Sequence, residues 1–114
     1  MSAGRLRSGL VASACLNAAA ANGKPAVVLR RGDADSGMVF VKSMARDGQA
    51  VLYAQTVGRD GASGWRLAFG PAPERDVDAR IEREANMDRD LWALEIMDDA
   101  MAHPLAPPLV EDGL

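Results

Sequence analysis

Two hydrophobic periods divide the chain. From about residue 7 to 21, Leu6, Leu10, Ala14, Ala18 and Ala21 fall near helical spacing, as on an amphipathic helix laid against a core. Asn22-Gly23 supplies left-handed conformers and Pro25 follows, which together end that helix. The next four apolar runs, at about 26–31, 38–44, 50–57 and 64–69, are short and carry strand-like composition. Between them stand Gly32-Asp33-Ala34-Asp35-Ser36-Gly37, Arg46-Asp47-Gly48 and Gly58-Arg59-Asp60-Gly61-Ala62-Ser63. Asp and Gly tolerate the positive φ angles of hairpin turns, so the pattern predicts a four-stranded antiparallel meander.

A two-residue Asp47-Gly48 turn sets Lys42 opposite Tyr53, Phe40 opposite Gln55 and Met44 opposite Val51. With Arg31 facing Met38 and Val57 facing Trp65, the combined register gathers Val27, Leu29, Met38, Phe40, Val51, Tyr53, Trp65, Leu67 and Phe69 on one face, the expected core. Smaller residues, Val28, Val39, Val41, Leu52, Ala54 and Ala68, occupy the other. It also sends Arg30 and Lys42 to opposite faces.

Gly70-Pro71-Ala72-Pro73 is expected to break the fourth strand. From Glu74 to about Met87 charges alternate on a helical repeat, with Val77, Ile81 and Ala85 forming a narrow stripe. Residues 91–97 read as a fifth strand, with Trp92, Leu94 and Ile96 buried and Glu95 on the opposite side. The expected fold is therefore α+β: an N-terminal helix, the meander, a second helix and a fifth strand in the same sheet. Residues 1–100 form one domain, and 101–114, with Pro104, Pro107 and Pro108, form a mobile Pro-rich tail.

Bulk properties narrow the function classes. The chain has 114 residues, 13 basic and 16 acidic, and a net charge of -3, which gives no overall attraction to nucleic acid or anionic membrane. A nucleic-acid role would need Arg5, Arg7, Arg30, Arg31 and Arg46 to cluster locally. No run approaches the ~20 apolar residues that span a bilayer. The basic-then-apolar start is too short and too interrupted by Asn17 and Asn22 for a signal peptide. The single Cys15 fits a reducing compartment and a small core residue.

Candidate chemistry concentrates at residues 30–37. Arg31-Gly32-Asp33 matches the integrin-ligand tripeptide, a reading that requires an extracellular protein. Asp33-Ala34-Asp35-Ser36-Gly37 starts like a calcium loop, but Met38 stands where a glycine is needed and Met44 where a bidentate glutamate is needed. An anion or phosphometabolite site would draw on Arg30, Arg31 and the loop amides. Against it, Asp33, Asp35 and Ser36 can bond their own backbone, and Arg31 can pair with Asp33 or Asp35. Glu95 becomes a partner for Arg30 if the fifth strand lies beside the first. His103, the sole histidine, sits in the tail, and neither a catalytic triad nor a metal-ligand set can be assembled. No cofactor is implied.

Four blocks together, Arg5-Leu6-Arg7-Ser8-Gly9-Leu10, Arg30 through Gly37, Val41-Lys42, and Asp90-Leu91-Trp92-x-x-Glu95-Ile96, resemble the alphaproteobacterial family called domain of unknown function 1491. The resemblance spans about residues 5–99 and implies a bacterial cytoplasmic protein; it supplies no catalytic residues. That family pattern commonly has an aromatic where this chain has Val11, which implies a smaller anchor on the first helix. The leading expectation is a non-enzymatic binding or interaction module, homodimeric through a sheet face or edge. The competing one is an anion-binding protein or enzyme using Arg31, Asp33 and Asp35, with Arg30 and Glu95 alongside.

Overall fold

The computed structural model describes residues 7–57 and 63–105. The connector at 58–62, the start of the first family block and residues 106–114 lie outside the described residues. In chain order the elements are α1 (Ser8–Ala21), β1 (Ala26–Arg30), β2 (Val39–Met44), β3 (Gln49–Val57), β4 (Ser63–Pro73), α2 (Glu74–Met87) and β5 (Trp92–Met97). The fold is α+β, as the period changes imply. Its sheet is mixed, in the order β1-β5-β2-β3-β4.

The first predicted hairpin does not exist. β5 lies between β1 and β2, antiparallel to β1 and parallel to β2, so the meander is confined to β2, β3 and β4. The connector between β1 and β2 must therefore span two strand spacings, about 10 Å, instead of one. It does so by crossing the entry of β5: the Asp33 amide donates to the Asp90 carbonyl at 3.0 Å and the Trp92 amide to the Met38 carbonyl at 2.8 Å. A Cβ on Gly32 or Gly37 would overlap the Asp90 carbonyl, and Gly37 also has φ +94. Close approach, more than turn formation, requires those two glycines.

The β2–β3 register differs from the expected one by a single residue. Phe40 lies opposite Ala54, Lys42 opposite Leu52 and Met44 opposite Ala50, because the connector is longer than two residues. A one-residue slip inverts the face assignment of one strand relative to the other. Val39 and Val41 consequently join Val51, Tyr53, Trp65, Trp92, Leu94 and Ile96 on the face covered by α1. Phe40 joins Leu52, Ala54, Leu91 and Ala93 on the face covered by α2 through Val77 and Ala85, with Ile81 and Phe69 at its margin. Of the expected core, Val27, Leu29, Met38 and Leu67 are instead 51%, 45%, 40% and 44% exposed.

α1 also turns a different stripe inward: Ser8, Val11, Ala12, Cys15 and Ala19 are buried, while Leu10 is 58% exposed. Alanine on every side gives this helix little amphipathic contrast, and its small residues let it lie close to the sheet. Burial pushes the Cys15 thiol up to about 12, as befits an inert core residue. β4 runs through Gly70-Pro71-Ala72-Pro73 instead of breaking there. It is an outer strand, where a proline's missing N–H costs no ladder bond, and the irregular pairing around Leu52 absorbs the positive φ of Gly70.

Beyond β5, residues 101–105 lie against the α1-side face. The Tyr53 hydroxyl donates to the Met101 carbonyl at 2.6 Å and the Ser43 hydroxyl to the Ala102 carbonyl at 2.9 Å. Met101 and Leu105 pack on the same apolar cluster.

Gly32→Ala is expected to lower stability by roughly 2–3 kcal/mol through overlap with the Asp90 segment. Gly48→Ala, whose Cβ would meet nothing within 4 Å, should cost only about 1 kcal/mol for its positive φ. Urea denaturation of both variants checks this: equal losses would contradict the close-approach account.

Candidate functional site

The 31–38 connector engages its charged residues within the chain. The Asp33 carboxylate accepts from the Ser36 amide at 2.9 Å, the Asp35 amide at 3.0 Å and the Ser36 hydroxyl at 3.1 Å. These donors, the Ser36 amide first, hold the Asp33 carboxyl below its ordinary range. Asp35 pairs with the Arg7 guanidinium at 3.2 Å, with both side chains at least 70% exposed, a weak contact in water. Arg31 does not pair across the loop; its guanidinium lies 5.3 Å from the centre of the Trp92 ring.

Further bonds tie the loop to α1 and β5. The Trp92 indole N–H donates to the Asp33 carbonyl at 2.7 Å, the Ser8 hydroxyl to the Gly37 carbonyl at 2.6 Å, and the Gly9 amide to the Ala34 carbonyl at 2.9 Å. Arg31, Asp33 and Asp35 thus face three different neighbours. They do not converge on a shared point.

Arg30 and Lys42, by contrast, share a face. The register slip turns Lys42 toward α2, and the bulge between Val28 and Arg30 turns Arg30 the same way, opposite Ala93. Both line an open cavity of about 440 Å³ under α2, together with Leu29, Glu74, Asp78, Ile81, Glu82, Ala85 and Glu95. The Arg30 guanidinium donates to the Arg89 carbonyl at 3.1 Å, while its buried Nε has no partner among the described residues. Glu95 does not pair with Arg30; it lies 3.0 Å from the Lys42 ammonium.

Lys42 is the central residue of this face. Its side chain is 1% exposed, and its Nζ lies 2.7 Å from Glu74 and 2.7 Å from Asp78 as well. Three carboxylates therefore take the three ammonium protons. Burial disfavours the charge, but the bonds to Asp78, Glu74 and Glu95 outweigh it and hold the ammonium above its ordinary value. A protonated, fully bonded lysine has no lone pair to act as nucleophile or base. Its role is to fasten α2 to β2 and β5.

The one-residue error in register concealed this cluster. Two signals pointed to it: Glu74 and Asp78 stand four apart on one side of a helix, and Lys42 interrupts the apolar run Val39-Phe40-Val41. Counting formal charges, Arg30 and Lys42 face Glu74, Asp78, Glu82 and Glu95, so the cavity carries an excess of negative charge that disfavours a phosphate. Among the described residues no group of His, Cys, Asp and Glu is arranged to hold a metal ion, and no helix is long and apolar enough to cross a membrane.

These features define a small α+β protein with a mixed five-stranded sheet between two helices and an internal ion cluster. Residues 6–106 match the family described as protein of unknown function (DUF1491), and the chain belongs to that family. It is similar to the crystal structure of a DUF1491 family protein from Caulobacter crescentus CB15, with 36% identity, a TM-score of 0.83, and coverage of 94% of this chain and 100% of that one. The NMR structure of a DUF1491 family protein from the same organism gives 36% identity and a TM-score of 0.79 over 94% of this chain and 97% of that one. The solution structure of protein Atu0922 from A. tumefaciens gives 26% identity and a TM-score of 0.78 over 93% and 99%. Both organisms are alphaproteobacteria, in agreement with the sequence resemblance. No curated protein matches the chain.

Lys42→Met should destabilise the fold by about 2 kcal/mol, less than the 3–5 kcal/mol of a wholly buried pair because Glu74 and Asp78 stay half in water. Adding Glu95→Gln should recover part of that loss by relieving carboxylate repulsion. Chemical denaturation of the two variants decides the point; no change in Lys42→Met would show that the cluster does not fasten α2.

Proposed function

We propose that the protein is a non-enzymatic interaction module that assembles as a homodimer through the free edge of β1. The observation that carries this reading is that β1 is an outer strand with three consecutive apolar residues, Val27, Val28 and Leu29, 51%, 37% and 45% exposed. An unpaired apolar edge is a template for strand addition. Each sheet face already carries a helix, so the edge is the surface left for assembly.

Main-chain polarity supports a two-fold pairing. The Pro25 carbonyl accepts from the Met97 amide at 2.9 Å, so that carbonyl and, two residues on, the N–H and C=O of Val27 turn toward β5. Those of Ala26 and Val28 then point outward. Antiparallel pairing about Val27 would set Ala26 of each copy opposite Val28 of the other, with outward groups meeting outward groups. The flanking cations are held to their own chain, Lys24 by Asp98 at 3.6 Å and Arg30 by the Arg89 carbonyl. The setting proposed with it is the bacterial cytoplasm, which a single unpaired thiol suits. The competing reading, a phosphometabolite site at Arg31, Asp33 and Asp35 with Arg30 and Glu95 alongside, has less support, since each of these residues is engaged within the chain.

Sedimentation of the wild type at roughly tens of micromolar should show a dimer, as expected for a patch that monomers seldom leave open. Val27→Lys should give a monomer with a nearly unchanged denaturation midpoint, because it places two ammonium groups against each other only in the assembly. A wild type that sediments as a monomer throughout overturns the dimer. An Arg31→Ala/Asp33→Ala variant that keeps its midpoint but loses binding to a phosphometabolite panel would favour the competing reading instead.

A further inference from the structure

We propose that residues 101–105 form an acid-released strap over the Tyr53 and Trp65 face, with His103 as its proton-sensitive clasp. The strap is anchored by the Tyr53 and Ser43 hydroxyls on the carbonyls of Met101 and Ala102. Between those anchors and Leu105, the His103 ring lies 4.1 Å from the Trp65 ring with a 39° tilt, and 5.3 Å from the Tyr53 ring in an edge-on arrangement at 82°.

The hydrogen bonds define the protonation state that this packing accepts. The Leu105 amide donates to His103 Nδ1 at 3.1 Å, so Nδ1 is the bare nitrogen and the ring is the neutral Nε2–H tautomer. Nε2 is buried with no partner among the described residues. A second proton can enter only at Nδ1, where it removes the acceptor of the Leu105 amide. The resulting imidazolium has two N–H groups and no acceptor within the strap. The Trp65 face attracts a cation but accepts no ring N–H bond in this geometry.

Among the described residues, the surroundings supply no compensating negative charge close by. α1 carries no charged residue from Ser8 to Ala21. On this side β3 presents Tyr53 and Gln55, and β4 presents Trp65 and Leu67. Titratable neighbours are the Tyr53 phenol, itself bonded to Met101, the buried Cys15 thiol, and Asp98 beyond Tyr53, which faces Lys24 at 3.6 Å. Burial accordingly lowers His103 from 6.5 to about 4.

The sign of the effect follows from linkage. The docked strap requires neutral His103, whereas the released strap takes up a proton at the ordinary value of 6.5, so docking is full above that pH and weakens as pH falls toward 4. Tenfold per unit over that interval amounts to about 300-fold in the docking equilibrium. Release uncovers the Tyr53 and Trp65 rings on β3 and β4, at the other side of the sheet from β1, so the strap stands or falls independently of the dimer.

NMR titration of the full chain from pH 7 to 4 tests the strap. In the wild type the His103 imidazole should titrate well below 6.5, and the Leu105 amide and the Tyr53 and Trp65 ring signals should move with the same midpoint. The Trp92 indole N–H, bonded to Asp33 and, on β5, three strands away from Trp65, should stay in place. His103→Phe keeps an aromatic ring without a titrating proton and should leave the strap signals flat. An imidazole midpoint at or above 6.5, strap signals that ignore His103 protonation, equal titration in His103→Phe, or movement of Trp92 with the rest would each overturn the proposal.

Discussion

Placement of β5 between β1 and β2 is the constraint from which the other features follow. Had β1 and β2 paired directly, residues 31–38 would be an ordinary hairpin loop with room for side chains at Gly32 and Gly37. With a strand between them, the loop must cross the β5 entry at backbone contact distance. Its bonds to Asp90, Trp92, Ser8 and Gly9 then hold α1, β5 and the sheet together at one point. The cluster of charges and glycines that stands out in the sequence ties three elements together in three dimensions.

The same insertion creates the ion cluster. Lys42 and Glu95 are 53 positions apart, yet parallel pairing of β2 with β5 sets them directly opposite each other on the α2 face. α2 adds Glu74 and Asp78 from above. A lysine at that depth would be costly alone; with all three protons bonded, its desolvation is offset and the helix gains a directional anchor that its narrow apolar stripe lacks. Val77, Ala85 and the partly buried Ile81 form the apolar contact of α2 with the sheet, and the lysine cluster adds a polar one beside it. Three acceptors for three protons leave the Lys42 ammonium no free proton to offer a ligand.

What could be read from the sequence was local. Both helices, all five strands and the α+β class follow from hydrophobic period and from Gly, Pro and Asn punctuation, because these act within a few residues of themselves. Strand adjacency is non-local: nothing near Gly32 announces that residues 90–92 will lie under it. Register failed for a related reason, since one extra residue in the Ala45–Gly48 connector reverses every face assignment in β2. The expected β1–β2 hairpin, with Arg31 facing Met38, puts Arg30 and Lys42 on opposite faces, and the β2–β3 slip hides the lysine cluster. β5 does lie beside β1, the condition for pairing Glu95 with Arg30, yet Glu95 pairs with Lys42 on its other neighbour β2. The stripe on α1 was undetermined because alanine is small and apolar enough to serve either side.

β5 also decides what is left open. By occupying the place beside β2, it moves β1 to the rim of the sheet and gives it a single neighbour. β1 then carries a strand's apolar composition without a second strand among the described residues to cover it or to pair its outward groups at Ala26 and Val28. The other rim is handled differently: β4 ends in Pro71 and Pro73, which remove donors and blunt that edge. An edge protected by proline on one side and left apolar on the other makes the molecule asymmetric in what it offers a partner. The exposed Val27, Val28 and Leu29 are therefore a direct consequence of where β5 inserts, and assembly at β1 is the arrangement that would complete the sheet that β5 left open.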